Sequence, residues 1–377
     1  MLYRLLKSIP ATRYSLVSIK DYDGQETEYD ATKRLPGHYY KLHFARQVPV
    51  RYFPWLSKVR TIVNFFWQVM ARAIQIRRIV RKENSGLLIP CTGDFYDLPA
   101  SYVASRWTGV PLAPYIFDDY AYQWIGINRE ISRRVERIIL KHAKEVAVPN
   151  EYMQREYRTR HGVESFLIRN PCIIPDLDEL DAADRVFSKG AISIVYTGAI
   201  YHAHYDAFRN MVSALDRIDE PDVKLHLFTV QTVAELESHG ICGPKVVCHP
   251  HVESSEVPKI IRQADILFLP LAFESPIPEV IRTSAPGKIG EYLAVGRPVL
   301  VHAPGDSFVS WFIRENGCGV VVGERDPAVL SNAIAGILSD ASLRISMGER
   351  ARALARKEFD VTIMQARFLE FVERSIS

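Results

Sequence analysis

The chain has 377 residues, 47% of them hydrophobic and 24% charged, an ordinary globular balance with enough length for two domains. The formal net charge is +3, but residues 1–170 carry 27 Lys and Arg against 16 Asp and Glu, so a basic half precedes an acidic one. No apolar run reaches the roughly 18 residues of a membrane helix, no secretory signal pattern opens the chain, and the five scattered cysteines lack zinc or redox spacing, which favours reduced thiols in the cytoplasm.

The first half alternates helical and strand patterns. It opens in a helix, Leu2–Ser8, and goes directly into a strand, Tyr14–Ile19, so the usual first strand is either missing from this sequence or absent from the domain. Further strands are predicted at 87–90, 110–117 and 145–149, with helices at about 61–82, 97–107 and 128–143. This alternation predicts an N-terminal α/β domain with a parallel sheet over residues 1–172.

A polar, acidic segment, residues 173–190, is predicted to be a linker. Strand patterns then recur at 191–198, 223–230, 245–248, 266–270, 299–302 and 319–322, with helices near 205–218, 256–263, 286–295, 308–315, 327–338 and 341–357. They predict a second Rossmann-like domain over residues 191–360, although no G-x-G-x-x-G occurs. We expect a C-terminal helix within 361–377 to cross back to the first domain.

The most specific pattern is SAPGKIGEYLAVGRPVL, residues 284–300. Pro286 suits a first helical turn, and Ser284 suits an N-cap. N–H groups at such a helix start are free to bind an anion; they belong to Gly287, Lys288 and Ile289. Lys288 would add a full positive charge, and Glu291, one turn further on, offers a carboxylate to a ribose diol. The pattern therefore predicts a nucleoside diphosphate site.

The chain here resembles the C-terminal half of GT-B glycosyltransferases, in particular glycosyltransferase family 4 (glycosyl transferases group 1), which carry a P-x-K-x-x-E-Y-x-A-x-G-x-P-V block. The resemblance covers about residues 190–360 and includes three further segments: Tyr196-Thr-Gly198, Ile261–Pro270 and Asn316–Val322. It implies two Rossmann-like doubly wound domains facing across a cleft. It also implies a nucleoside diphosphate sugar as donor substrate, retention at the anomeric carbon, and no metal or other cofactor.

By this resemblance Glu291 holds the ribose, and Lys288 with the amides around Gly287 holds the diphosphate. The Gly198 loop would approach the phosphates, and Val252 would lie near the base. In two places the sequence departs from the family pattern. Thr283 stands where the family often has a glutamate that contacts the sugar, for which Glu274 or Glu279 would be the substitute. The family's Arg and Lys after the phosphate-loop glycine are replaced by two histidines, His202 and His204, which are weaker, pH-dependent cations.

In the first domain, the strand at 110–117 ends in Asp118 and Asp119. Ligands in α/β sheets bind at the carboxyl ends of strands, so either carboxylate is a candidate base for, or orienter of, an acceptor hydroxyl. The alternative is helix capping. Residues 92–94, Thr-Gly-Asp, are a second candidate at the end of an earlier strand.

Residues 51–82 contain no acidic residue. Their cations are Arg51, Lys58, Arg60, Arg72, Arg77, Arg78, Arg81 and Lys82, and their large aromatics are Tyr52, Phe53, Trp55, Phe65, Phe66 and Trp67. A basic helix with aromatic residues indicates contact with an anionic membrane surface. The alternative is a helix packed on its own sheet with a solvated basic edge. No nucleic-acid-binding motif is present, so we expect no nucleic-acid partner.

The sequence thus predicts a glycosyltransferase that uses a nucleotide-sugar donor and a lipid-linked or glycan acceptor in surface glycan biosynthesis. We expect it in the cytoplasm, peripherally at the inner face of the cytoplasmic membrane. Two alternatives stay open: a sugar-nucleotide epimerase or hydrolase of the same fold, and a non-catalytic GT-B binding subunit.

Overall fold

The computed structural model describes residues 1–20, 34–45, 57–182, 184–188, 190–220 and 222–377. They divide into two compact units, of which the first comprises Met1–Arg169 with Met364–Ser377 and the second Asn170–Ile363. Both contain parallel strands with helices between them, so the predicted α/β class is confirmed. Arg51, Tyr52, Phe53 and Trp55 of the predicted membrane segment lie outside the described residues.

The first unit contains six helices and four short strands among its described residues. The helices are α1 Leu2–Leu6, α2 Ser57–Glu83, α3 Asp97–Thr108, α4 Gly126–His142, α5 Glu151–His161 and, at the end of the chain, α15 Val361–Ile376, which belongs to this unit from Met364 on. The strands are β1 Ser15–Ser18, β2 His38–Lys41, β3 Ala147–Val148 and β4 Phe166–Leu167.

The strands predicted at 87–90 and 110–117 form only isolated bridges, Leu88 with Leu112 and Cys91 with Tyr115. The segments contain Pro90, Pro111 and Pro114. Proline has no N–H to donate, so a continuous hydrogen-bond ladder cannot form. The bridges are nevertheless parallel, and Tyr115 also pairs with Ala147 of β3. The segments therefore pair in parallel as predicted, but they do not form regular strands.

The core of the first unit includes its C-terminal helix. Leu5 of α1, Tyr115 and Ala147 pack with Phe368 and Phe371 of α15, and all five are almost completely buried. The described residues contain no single helix with the length and hydropathy of a membrane span, and only α13 and α14 of the second unit qualify, when taken together across a 94° bend.

The second unit contains nine helices and six strands within the described part of the chain. The helices are α6 Leu177–Asp181, α7 Tyr205–Leu215, α8 Val233–Ser238, α9 Val257–Arg262, α10 Pro278–Thr283, α11 Lys288–Ala294, α12 Phe308–Glu315, α13 Pro327–Ser339 and α14 Ala341–Glu358. The strands are β5 Ile192–Thr197, β6 Val223–Phe228, β7 Val246–His249, β8 Ile266–Pro270, β9 Val299–His302 and β10 Gly319–Val322. The segment predicted as a linker thus includes α6 and belongs to this unit.

These six strands form one parallel sheet in the order β7-β6-β5-β8-β9-β10. Its apolar side chains are buried on both sides, as expected for strands covered by helices on two faces. Phe208 and Met211 of α7 and Ile334 of α13 pack with Leu225 and Phe268 of the sheet. The strand order is that of a doubly wound Rossmann sheet.

Candidate functional site

The strand order of the second unit determines where a ligand can bind. The chain leaves the neighbouring central strands β5 and β8 in opposite directions, which makes their carboxyl ends the switch point of the sheet. Ligands of open α/β sheets bind in the crevice at this point. The strands end at Thr197 and Pro270, so the loops that follow them form the candidate site.

The two loops are held together by hydrogen bonds. The N–H of Ala272 donates to the carbonyl of Ala203 at 2.8 Å. Asp206, buried in the first turn of α7, accepts through Oδ2 from the N–H of Phe273 at 2.9 Å and of Glu274 at 2.8 Å. The sequence pattern gives little indication of this role for Asp206, which is simply an aspartate in the first turn of the helix after a glycine loop.

Lys288 lies directly beneath the loop after β5. Its Nζ donates to the hydroxyl of Tyr196 at 2.5 Å and lies 3.7 Å from the centroid of that ring. A Cβ at Gly198 would stand 3.0 Å from the same Nζ. Burial lowers the pKa of Lys288 to about 7, and Glu291 opposes this shift. The full positive charge expected from the sequence is therefore only partly present at neutral pH without a ligand.

The helix that carries Lys288 begins later than predicted. It starts at Lys288, with Gly287 at the N-cap position and no side-chain cap. Ser284 instead ends the preceding helix α10, in an extended conformation with ψ of 132°. The residue before a proline, here Ala285, is disfavoured in the helical region, so α10 does not continue into α11 through Pro286. Ser284 is therefore not the predicted N-cap.

Two of the three predicted anion-binding amides keep an open donor. The N–H of Ile289 donates to the carbonyl of Pro286 at 3.1 Å, so it is used within the chain. No hydrogen bond between described residues takes up the N–H of Gly287 or Lys288. The side chain of Asn170 donates to the carbonyl of Ala285 at 2.8 Å and thereby holds this loop in place.

The two histidines of the loop after β5 differ from each other. His202 is exposed, whereas His204 is 6% exposed. Burial, followed by the nearby charge of Lys288, lowers the pKa of His204 to about 3. Its Nδ1 is buried without a hydrogen-bond partner among the described residues. His204 is therefore a neutral ring at physiological pH, not the pH-dependent cation expected from the sequence.

Glu291 lies in the first turn of α11 and is half-buried. The next residue, Tyr292, accepts through its hydroxyl from the N–H of Thr197 at 3.0 Å. This hydrogen bond ties α11 to the end of β5, so Lys288 and Glu291 are held at the same edge as Gly198. Val252 follows the edge strand β7, two strands away from β5, and is half-buried.

The side chain at position 283 is a threonine, so this position supplies no carboxylate to the site. Thr283 is buried, and its hydroxyl donates to the carbonyl of Glu279 at 3.0 Å. Of the two suggested substitutes, Glu274 is exposed and forms an ion pair with Arg325. No group of three or more His, Cys, Asp or Glu side chains suited to a metal ion occurs in the described part of the chain.

In the first unit, Asp119 is part of a buried ionic cluster. Its carboxylate pairs with the guanidinium of Arg160, which also lies 3.5 Å from Glu136. Glu136 accepts from the hydroxyl of Tyr157 at 3.0 Å and contacts Nε2 of His161 at 2.9 Å. Desolvation and Glu136 raise the pKa of Asp119, while Arg160 opposes them. Because of these contacts, Asp119 has a structural role. It is neither the helix cap nor the open base expected from the sequence.

Asp118 and Asp94 occupy different environments. Asp118 is exposed, yet desolvation by the surrounding protein raises its pKa. Its N–H donates weakly to Thr92 at 3.4 Å. Asp94 pairs with the buried Arg72 at 2.7 Å, so it has a structural role. Asp118 is the one of the proposed carboxylates in this unit that keeps an open side chain.

Helix α2 has two unlike faces. Phe65 and Arg72 are buried against the rest of the unit, so these two do not belong to the predicted membrane surface. The outer face carries seven exposed apolar side chains, each of which lies three or four residues from another along the helix: Val59, Ile62, Val63, Phe66, Trp67, Met70 and Ile74. Their exposure lies between 37% and 57%. This apolar stripe is flanked by Lys58, Arg60, Arg78, Arg81 and Lys82, all exposed.

Comparison with models of known protein families agrees with the sequence pattern of the second unit. Residues 191–340 match the family model described as Glycosyl transferases group 1. No curated protein matches this sequence. The match to the family model confirms the resemblance carried by the block at 284–300.

Solved structures share the fold of almost the whole chain. A glycosyltransferase from Rickettsia africae ESF-5 has 14% identity and a TM-score of 0.68, covering 96% of this chain and 89% of that chain. HepE from Anabaena in complex with UDP-glucose has 14% identity and a TM-score of 0.68, covering 99% and 94%. Sucrose-phosphate synthase from Thermosynechococcus elongatus has 15% identity and a TM-score of 0.67, covering 96% and 88%. The fold is that of GT-B glycosyltransferases.

Proposed function

We propose that the chain moves a sugar from a nucleoside diphosphate sugar to an acceptor hydroxyl, since residues 191–340 match the family model described as Glycosyl transferases group 1. The observation that carries this proposal is the position of Lys288, buried beneath Gly198 at the switch point of the sheet. The HepE structures hold UDP and UDP-glucose, which supports a nucleotide-sugar donor.

In the proposed mechanism the leaving diphosphate lies against Lys288 and the open N–H groups of Gly287 and Lys288. The amine of Lys288, protonated when the diphosphate binds, and the two amides stabilise the charge that develops on the leaving group in a partly dehydrated site. Glu291 accepts the hydroxyls of the ribose. His204, as a neutral ring, can hydrogen-bond the donor without adding charge. Val252 lies near the base in this assignment.

We further propose retention at the anomeric carbon and no metal requirement. Retention is supported by the family resemblance. Metal independence is supported by the cation and amides available for the diphosphate. Asp118, with its exposed carboxylate, is the candidate that contacts the acceptor hydroxyl, in preference to the ion-paired Asp119.

For the acceptor we propose a lipid-linked or polysaccharide substrate at the inner face of the cytoplasmic membrane, in surface glycan biosynthesis. The apolar stripe of α2 and its flanking cations support this. Apolar side chains that enter the interface and cations that attract anionic lipids are the two components of a peripheral membrane helix. The excess of Lys and Arg over Asp and Glu in residues 1–170 also favours contact with an anionic membrane.

Two measurements test the activity. Calorimetry with nucleoside diphosphates should detect binding, and the absence of affinity for all of them would favour the non-catalytic subunit. Product analysis with nucleotide sugars and a lipid-linked acceptor should yield a glycosylated lipid. Consumption of the donor at the same rate without acceptor would favour the epimerase or hydrolase.

A further inference from the structure

Tyr196, a buried residue near the end of β5, makes an unusual pair of contacts. Its hydroxyl donates its single hydrogen to the carbonyl of Ala199 at 2.7 Å. The oxygen can then only accept from Lys288, whose Nζ lies 2.5 Å away. Burial holds the pKa of Tyr196 well above its usual range, so the hydroxyl keeps its hydrogen and this direction of donation.

The ring of Tyr196 makes the second contact. Nζ of Lys288 lies 3.7 Å from the ring centroid, within the distance at which an ammonium is attracted to an aromatic face. A lysine side chain has four rotatable bonds and loses much freedom when it is fixed. Ring and hydroxyl together hold the Nζ of Lys288 in one place, directly beneath Gly198.

Three other side chains near Lys288 act on it differently from Tyr196. Glu291, on the same helix, acts on Lys288 through its charge, which raises the pKa of the amine. His204 is neutral, and the charge of Lys288 contributes to the depression of its pKa. His202, exposed on the same loop, contributes to that depression as well. Tyr196 is therefore the side chain that directs the ammonium toward the loop after β5.

We propose that Tyr196 is a positioning residue for the donor diphosphate, which fixes Nζ of Lys288 beneath Gly198 before the donor arrives. The inference rests on the proposed function, because it takes Lys288 as the group that receives the diphosphate. It predicts that Tyr196 influences nucleotide affinity mainly through Lys288. The hydrogen bond from Tyr196 to Ala199 also supports the loop, so the test must separate these two effects.

The test is a double-mutant cycle read by calorimetry with whichever of UDP, GDP and ADP binds most tightly. Tyr196→Phe keeps the ring and removes the hydroxyl, and Lys288→Met removes the ammonium. We expect Tyr196→Phe to weaken binding about tenfold in the wild-type background, since hydrogen bonds to charged groups have this strength. In the Lys288→Met background its effect should fall below about twofold, because coupled residues are not additive.

A matched control is Tyr205→Phe. Tyr205 lies in the same unit and its ring stacks on His239 at 3.9 Å, so removal of its hydroxyl should leave affinity unchanged. A second variant leaves Tyr196 intact: Lys288→Arg keeps the charge but places a larger planar head over the ring. If the position of the charge matters, Lys288→Arg should lose as much nucleotide affinity as Lys288→Met. This variant also tests the inference if Tyr196→Phe does not fold.

Three outcomes would overturn the inference. One is an unchanged affinity in Tyr196→Phe. Another is an equal loss in both backgrounds, which would mean that Tyr196 acts on the loop alone. The third is full affinity in Lys288→Arg, which would mean that charge suffices wherever it lies. If the wild-type chain binds none of the three nucleotides, the proposed donor site itself fails, and this result is distinct from the other three.

Discussion

Gly198 and Lys288 are packed so closely that a Cβ at residue 198 would lie 3.0 Å from the ammonium nitrogen. Gly198 also has a φ of +114°, a region that side-chain-bearing residues avoid. We expect Gly198→Ala to displace Lys288 and strain the loop, and so to reduce nucleotide affinity by about tenfold or more. Calorimetry measures the affinity and thermal unfolding measures the strain.

The control is Gly336→Ala. Gly336 lies within α13 and has open space around its Cα. Alanine there removes backbone freedom from the unfolded chain and should stabilise the protein by about 0.4–1 kcal/mol. Equal losses of affinity in both variants would contradict a specific role for Gly198.

The lowered pKa of Lys288 predicts a pH dependence of donor binding. A bound diphosphate favours the charged ammonium, so the pKa rises on binding and a proton is taken up. Above a pH of about 7, the free protein increasingly holds a neutral Lys288, and affinity should fall as pH rises. Titration of the nucleotide between pH 7 and about pH 9, where its phosphates are already ionised, measures this.

The same titration with Lys288→Met supplies the comparison. Without the amine, binding should be weaker but flat over this range. Proton uptake can be read directly from calorimetry in two buffers with different ionisation enthalpies. A wild-type affinity that is constant or increases with pH would contradict the assignment.

Glu291→Ala removes the carboxylate that we propose holds the ribose. Loss of an interaction with two hydroxyls predicts a fall in kcat/KM of about a hundredfold, or roughly 2.7 kcal/mol. Steady-state kinetics with the nucleotide sugar measures it. Glu315→Ala, which removes an exposed carboxylate at the end of α12, should leave kcat/KM unchanged. Unchanged turnover in Glu291→Ala would show that the ribose lies elsewhere.

The ion pair of Arg160 with Asp119 predicts a large stability effect. Arg160→Met leaves Asp119 and Glu136 buried without their cation, which should cost about 3–5 kcal/mol of unfolding free energy. Arg158→Met, on the same helix, breaks only the exposed pair with Glu164 and should cost less than about 1 kcal/mol. Denaturant unfolding compares them. Similar values for both variants would contradict a buried structural cluster.

The apolar stripe of α2 predicts binding to anionic membranes. Replacing Phe66 and Trp67 with serine should reduce co-flotation with phosphatidylglycerol vesicles by about tenfold or more, since two large apolar side chains no longer enter the interface. Ile345→Ser removes an apolar side chain of similar exposure from the second unit and should change nothing. Binding that is insensitive to both Phe66 and Trp67 would count against membrane contact through this face.

Sequence patterns predicted the second unit well where apolar runs are short and sharply bounded. Strands β8, β9 and β10 and helix α12 have the bounds that their sequence predicts. β8 and β9 are fully buried apolar runs that follow Asp265 and Pro298, β10 begins at Gly319, and α12 follows its N-cap Ser307. The sequence did not predict β4, since Phe166–Leu167 is a strand only through its pairing with β3. Two residues are too few to form a pattern.

The sequence by itself determined the α/β class, and it singled out the block at 284–300 with Lys288 and Glu291 as candidate donor-binding residues. These depend on local spacing, helix-start residues and a family pattern, all of which lie within a few residues of each other. Tertiary structure alone decided that Lys288 rests on Tyr196, that its pKa is low and that Asp119 is occupied by Arg160. The contact between Tyr196 and Lys288 joins positions that are 92 residues apart in the sequence, and the contact between Asp119 and Arg160 joins positions that are 41 apart. Both the burial and the pairing of these groups depend on which distant residues the fold brings together.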